Sequence, residues 1–253
     1  MEDAKAWIWN KRNAGEGEPY KRYVTDPLIL GLIKPVFGKT VLDQGCGNGH
    51  LAVKIAHEGP KKILLLDFYE GNLECARANL GPVQGNFEFK QADFNHALKA
   101  DSHSVDIVVS SFVLSEIQNL QLIVKETNRI LRDGGIYAIA VTHPSYDLRH
   151  YIHEKITGVP SPKIKPARDY FDRRKSEFVL GAETHEQIMA PHYHRTVEDY
   201  VNALRSAGFL IDSVFEPAIN EMLLKEAPRF AADKEYPISL IIKAVKSERI
   251  HKT

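Results

Sequence analysis

The chain has 253 residues, and its 33 Lys plus Arg balance its 33 Asp plus Glu, so its formal charge is zero. That balance disfavours a nucleic-acid backbone as the main partner, since such proteins usually carry a basic excess. With 43% hydrophobic residues the chain can bury a large core without disulfides, and its two cysteines, Cys46 and Cys75, have neither CxxC nor metal-ligand spacing.

The opening segment, MEDAKAWIWNKRNAGEGEPY, lacks the long apolar core of a signal peptide, and no apolar stretch is long enough to span a bilayer. Free thiols and the absence of such segments lead us to expect a cytoplasmic protein without a membrane partner. Residues 1–19 are expected to form a short helix bearing Trp7, Ile8 and Trp9, followed by a Gly-rich hinge. Whether the tryptophans pack on the body or close a pocket is open. TDPLILGLIKPVFG then reads as a helix capped by Thr25 or Asp26, with Pro27 in its first turn.

From residue 39 to 141 short apolar runs alternate with amphipathic segments. KTVLD, KKILLLD, FEFK, VDIVVSS and GIYAIAVT are predicted strands. HLAVKIAHE, EGNLECARANL and LQLIVKETNRILRD place apolar residues at helical intervals, and Gly134-Gly135 is the expected stop of the last helix. Such alternation indicates an α/β fold, a parallel sheet with helices on both faces. The pattern breaks over residues 145–191, too long for an ordinary loop. It resumes with RTVEDYVNALRSAGF as a helix and LIDSVFE and YPISLIIKAVK as strands. The expected division is a helical cover over 1–38, a core over 39–144 and 192–253, and an inserted lid over 145–191.

Gly45, Gly47 and Gly49 in VLDQGCGNGH lie between a strand and a helix, where the backbone turns sharply and a ligand approaches closely. The spacing is GxGxG, unlike the GxGxxG of dinucleotide sites, and the loop lacks the Lys-Ser/Thr of a phosphate loop. Asp43, two residues ahead, would repel a pyrophosphate; a ligand with a positive or zwitterionic part fits better. Asp67 ends the next strand, where an acid accepts from both hydroxyls of a ribose. Asp93 follows the third strand, placed to accept from an adenine amino group, with Phe94 beside it to face the ring.

VLDQGCGNGHLA, LLLDFYEGNLECARANL, KQADFNH, VDIVVSSFVLSEI and RILRDGGIYAIAVTHP together resemble the successive motifs of the class I S-adenosylmethionine-dependent methyltransferases, over nearly the whole chain. The resemblance implies a seven-stranded Rossmann-like sheet whose seventh strand is antiparallel, with the last two strands as a closing hairpin. It implies S-adenosylmethionine as cofactor and S-adenosylhomocysteine as product. Residues 45–49, Cys46 included, would lie under the methionine part and sugar, Asp43 near the amino group, Asp67 on the ribose and Phe68 beside the adenine. Asp93 and Phe94 would frame the far edge, and Ser110, Ser111 and Phe112 would border the sulfonium. Tyr20, Arg22 and Tyr23 would be candidates to close over the methionine carboxylate.

Methyl transfer needs alignment and exclusion of water more than a conspicuous catalytic group. After the fourth strand the chain has SSFVLSE in place of the Asn/Asp-Pro-Pro-aromatic motif of enzymes acting on base amino groups or glutamine, and so resembles the small-molecule branch. The expected acceptor is therefore a small molecule methylated at N, O or C, in natural-product or cofactor metabolism. A tRNA or protein methyltransferase, and a non-catalytic cofactor-binding scaffold or regulatory paralogue, are the alternatives; glycine spacing disfavours a nicotinamide dehydrogenase. His143, Tyr146 and Glu116 are the candidate acceptor-side groups, with a structural role for His143 in the turn before Pro144 as the rival reading. His192 and His194 lack a convincing third metal ligand, so no metal is expected, and Arg195 is expected to pair with an acid. Tyr151, Tyr170, Phe171 and Phe178 would line or pack the insertion, and a homo-oligomer is left open.

Overall fold

The computed structural model describes residues 16–146, 148, 163–164, 169–180 and 188–247. Trp7, Ile8, Trp9 and Tyr151 lie outside them, as does the side chain of Phe178. The elements run in the order α1 (Asp26–Leu32), β1 (Thr40–Gln44), α2 (His50–Ala56), β2 (Lys62–Asp67), α3 (Glu70–Leu80), β3 (Phe87–Gln91), β4 (Val105–Ser111), α4 (Leu120–Ile130) and β5 (Leu131–Thr142). The short strands β6 (Lys163–Ile164), β7 (Lys175–Leu180) and β8 (Ile188–Tyr193) follow, then α5 (Val197–Ser206), β9 (Phe209–Phe215), α6 (Glu221–Glu226) and β10 (Ser239–Lys246).

Seven strands form one sheet in the order β3-β2-β1-β4-β5-β10-β9. The first five are parallel, and β10 runs antiparallel to both β5 and β9. Alternation along each strand builds two cores. Leu42, Leu64, Leu66, Val108, Tyr137 and Ile139 face α4 and α5, where Ile123, Val124, Ala203 and Leu204 are buried. Val41, Ile63, Leu65, Ile107, Val109 and Ala138 face α1, α2 and α3, against Ile29, Ile33, Leu51, Ile55 and Leu73. Strand order reverses at β1, between β2 and β4, and the carboxyl end there is the ligand crevice of an open α/β sheet. The glycine loop leaves β1 at that point.

Three sequence expectations change. Neither Thr25 nor Asp26 caps α1: a π-helical turn, Lys21–Thr25, runs into it, and Thr25 is helical with no side-chain cap bond. Asp26 is instead wholly buried. Gly134-Gly135 does not stop α4, which ends at Ile130 because Leu131 is extended and fully buried on β5. The glycines form a bulge in β5, between the pairings Val105↔Leu131 and Ile107↔Ile136, with Gly134 at φ 74°. The last two strands pair, yet α6 and a 3₁₀ turn, Pro228–Asp233, separate them, so the link is far longer than a hairpin turn. A separate antiparallel sheet of β6, β7 and β8 starts inside the region expected as a lid and runs two residues past it, to Tyr193.

Candidate active site at the carboxyl end of the sheet

The glycine loop is pinned to the sheet by Gly45 N and Cys46 N, which both donate to the Leu66 carbonyl, at 2.8 and 3.0 Å. Gly45, Gly47 and Gly49 all have positive φ. A Cβ on Gly45 would overlap Val113, whereas one on Gly47 would meet nothing within 4 Å and point into open space. Asp67 closes the loop from β2: one oxygen accepts from Gly47 N at 2.8 Å, the other from Tyr69 N and Asn72 Nδ2 at 3.0 and 2.9 Å. Burial raises its carboxyl above the ordinary range against these bonds.

Asp43 is buried at the end of β1, and its Oδ2 has no hydrogen-bond partner among the described residues. Burial, with the Asp67 charge, pushes its carboxyl up to about 7, while Lys21 pulls it down. A buried carboxylate without a partner is costly, so this atom fits the ammonium of an amino-acid ligand. Ser111 Oγ, at the end of β4, is likewise buried without a partner. Ser110 lies wholly buried before it. Phe112 follows with φ 61°, an uncommon conformation for a bulky residue, and Lys21 Nζ lies 5.2 Å from its ring centroid. Phe68 is 44% exposed at the crevice, in edge contact with Tyr69 at 5.0 Å.

Glu116 is exposed by area yet surrounded by protein, as on the wall of a cleft, and this desolvation pushes its carboxyl up to about 7. Lys21 opposes the shift and Asp67 adds to it, so Glu116 senses the same charges as the glycine-loop site. The small sheet docks beside it: Tyr193 N donates to the Ser115 carbonyl at 2.7 Å.

Several expected residues are occupied elsewhere. Both ring nitrogens of His143 are engaged, Nδ1 with Ser145 Oγ at 2.6 Å and Nε2 with Glu216 Oε1 at 2.7 Å. Its backbone N–H donates to the Ile238 carbonyl. His143 therefore joins β5 to the segment after β9. Phe94 is 6% exposed in the core with Leu66 and Leu98, so its ring is not presented to the crevice. Asp93 accepts from Asn95 and lies 2.9 Å from His96 Nδ1; these neighbours outweigh a small desolvation and hold its carboxyl low. Cys46 is buried, and burial raises its thiol, which makes it packing. Tyr146 packs with Tyr20, Val24 and Leu223.

In the N-terminal segment, the Tyr20 hydroxyl hydrogen-bonds Ser239 at 2.9 Å, and Arg22 pairs with Glu16 and, at 3.8 Å, Glu226. Tyr23 lies under Arg22, 5.2 Å from its guanidinium. Lys21, which sequence reasoning passed over, is the cation that influences both Asp43 and Glu116. Its neighbours Tyr20, Arg22 and Tyr23 stood out instead by residue type. Among the described residues Arg195 pairs with no acid but donates to the Leu114 carbonyl at 2.8 Å and the Gln118 carbonyl at 3.0 Å. His194 Nε2 lies 3.0 Å from the Tyr170 carbonyl, and His192 is buried in β8.

The family described as a methyltransferase domain matches residues 36–189. The chain belongs to that family. A structure from Listeria monocytogenes described as an S-adenosylmethionine-dependent methyltransferase is similar at 25% identity and a TM-score of 0.72, covering 94% of this chain and 99% of that one. An uncharacterized protein of Haemophilus influenzae is 26% identical over 89% of this chain and 88% of its own. A ubiquinone biosynthesis O-methyltransferase of Vibrio cholerae is 28% identical over 47% of this chain, and the match spans 50% of that protein. A demethylmenaquinone methyltransferase of Lactococcus lactis is 33% identical over 43% of this chain and 44% of its own. The methyltransferase uses S-adenosylmethionine, and the unpartnered Asp43 oxygen and the open face of Gly47 fit that cofactor.

Proposed function

We propose that this methyltransferase acts on a small molecule whose methylated group loses a proton, with Glu116 as the acceptor-side base. What supports the reading is the place of Glu116, exposed beyond β4 and next to Ser115 where the small sheet docks, with desolvation raising its carboxyl to about 7 beside the charges of the cofactor site. A group titrating near the working pH is suited to removing a proton from a hydroxyl or ammonium. The lipid-quinone relatives in the sequence comparison support a small acceptor with an apolar body, and the missing Asn/Asp-Pro-Pro-aromatic motif supports it further.

In this reading Asp43 holds the ammonium of the amino-acid part and Gly45, Cys46 and Gly47 supply the backbone floor. Asp67 holds the ribose, while Phe68 and Asp93 flank the adenine, with Phe94 supporting that turn from the core. Ser110, Ser111 and Phe112 border the reacting end. Lys21 takes the carboxylate role first sought at Tyr20, Arg22 and Tyr23, and Tyr23 backs the N-terminal turn that carries it. When bound, the cofactor supplies a methyl on a positively charged sulfur. The chain's own contribution is orientation, exclusion of water and proton removal at Glu116. Residues 16–38 of the N-terminal cover and the small sheet, which meets Ser115 through Tyr193, border the acceptor in this reading, and Tyr146 packs its wall.

The test is transfer of labelled methyl from S-adenosylmethionine into a small-metabolite extract, against tRNA and protein pools. Label is expected in the metabolite fraction, and Glu116→Gln should lower kcat about 100-fold or more, the scale of a lost general base. Label confined to tRNA or protein, or an unaltered kcat in Glu116→Gln, contradicts the reading.

A further inference from the structure

The first residue after the glycine loop, His50, is 8% exposed and lies between two oxygens from different parts of the chain. Its Nδ1 is 3.2 Å from Asn48 Oδ1, inside the loop, and its Nε2 is 3.4 Å from Asp26 Oδ2, on α1, an electrostatic contact without hydrogen-bond geometry. Asp26 Oδ2 also accepts from Lys54 Nζ at 2.7 Å. His50 and Lys54 are four residues apart on α2, so one helix face presents both to the buried acid. On the other side Gly17, at φ +83°, lies flush against the imidazole: a Cβ there would sit 2.5 Å from His50 Cδ2. The loop's own anchors to the sheet are Gly45 N and Cys46 N on the Leu66 carbonyl and Gly47 N on Asp67, whereas Asn48 is tied through Asn79 Nδ2, which donates to its carbonyl at 2.8 Å, and through His50.

We propose that His50 is a positioning residue that clasps the far end of the glycine loop to the N-terminal segment through Asp26 and Gly17, and so sets how tightly the loop holds the cofactor. This inference rests on cofactor binding and is independent of the acceptor assigned above. The loop's ligand face is backbone, with no side chain on Gly47 to set its position. Its register against the ribose and amino-acid parts then depends on what fixes residues 48–50. The same clasp carries the turn bearing Lys21 towards the crevice, because α1 follows directly from that turn.

The experiment is calorimetric titration of the full chain with S-adenosylhomocysteine, for the parent, Gly17→Ala, His50→Ala, His50→Asn, His50→Gln and the Gly17→Ala/His50→Ala double variant. Gln carries its amide nitrogen near the Nε2 position and keeps the Asp26 arm; Asn keeps only the arm towards the loop. Affinity should fall about tenfold, ~1.4 kcal/mol, in His50→Ala, His50→Asn and Gly17→Ala, and less than about threefold in His50→Gln. The double variant should be no weaker than His50→Ala, because removing the ring removes what the new Cβ meets. In turnover assays the loss should appear in KM for the cofactor far more than in kcat. Gly17→Ala touches neither sheet core, so it tests the clasp even if a His50 variant fails to fold. Parent-like affinity in Gly17→Ala, or equal losses in His50→Gln and His50→Ala, overturns the assignment.

Discussion

At neutral pH the Asp43 carboxyl sits near the midpoint of its titration, because burial and the Asp67 charge raise it to about 7. The folded chain without ligand holds this proton more tightly than an unfolded chain, whose value is 3.8. Its contribution to stability therefore declines as pH rises between those values. A ligand ammonium reverses the preference and favours the carboxylate. Binding of S-adenosylhomocysteine at about pH 6.5 should thus release protons, seen as heats that vary with buffer ionisation enthalpy. Asp43→Asn should abolish the release, and methylthioadenosine, which lacks the amino-acid part and its ammonium, should not cause it. Release that persists in Asp43→Asn would place the titrating group elsewhere. The glycines separate in a second way. Gly47→Ala should fold, at a cost of about 1–2 kcal/mol for its positive φ, yet lose cofactor affinity; Gly45→Ala should fail in stability first, because its Cβ overlaps Val113.

Among the elements, the junction of β5 with the segment after β9 gives the strand-end histidine a structural partner. His143 has the position expected of a base, but the Glu216 carboxylate that takes its Nε2 is 73 residues away, beyond the reach of local pattern. His143→Ala should accordingly lower the unfolding free energy by about 1–3 kcal/mol in denaturant titration, with kcat close to the parent's. A large fall in kcat at unchanged stability would return it to the chemistry. Asp26 is the converse case, a residue read as a cap that is a buried ion-pair partner. Burial pushes its carboxyl up, but the His50 and Lys54 interactions outweigh that and hold it down to about 2, below the usual 3.8. Its stabilisation is then fully present above the unfolded value and is lost as pH falls towards the folded one. Asp26→Asn should flatten the acid limb of the stability curve between about pH 4 and 2, and an unchanged limb would show the pair to be weak.

For the whole molecule, the sheet was legible because each strand alternates between two buried faces and each helix repeats its apolar residues at its own period. The glycine loop and Asp67 were legible because their chemistry is tied to strand ends. What escaped was long-range: Lys21 needed Asp43 and Phe112 in space, and Phe94 needed the knowledge that its ring fills a core. Arg195 had to be seen against the carbonyls of 114–118, and the small β6-β7-β8 sheet comes from a proline-interrupted stretch without clear period 2. The account stands on one claim, that the carboxyl end of β1 and β2 binds S-adenosylmethionine as a nucleoside bearing an amino acid. Calorimetric titration of the purified chain with S-adenosylhomocysteine tests it most directly. The account predicts saturable one-to-one binding that Asp67→Ala weakens by about tenfold or more. No saturable binding by the parent chain, or equal affinity in Asp67→Ala, would contradict it.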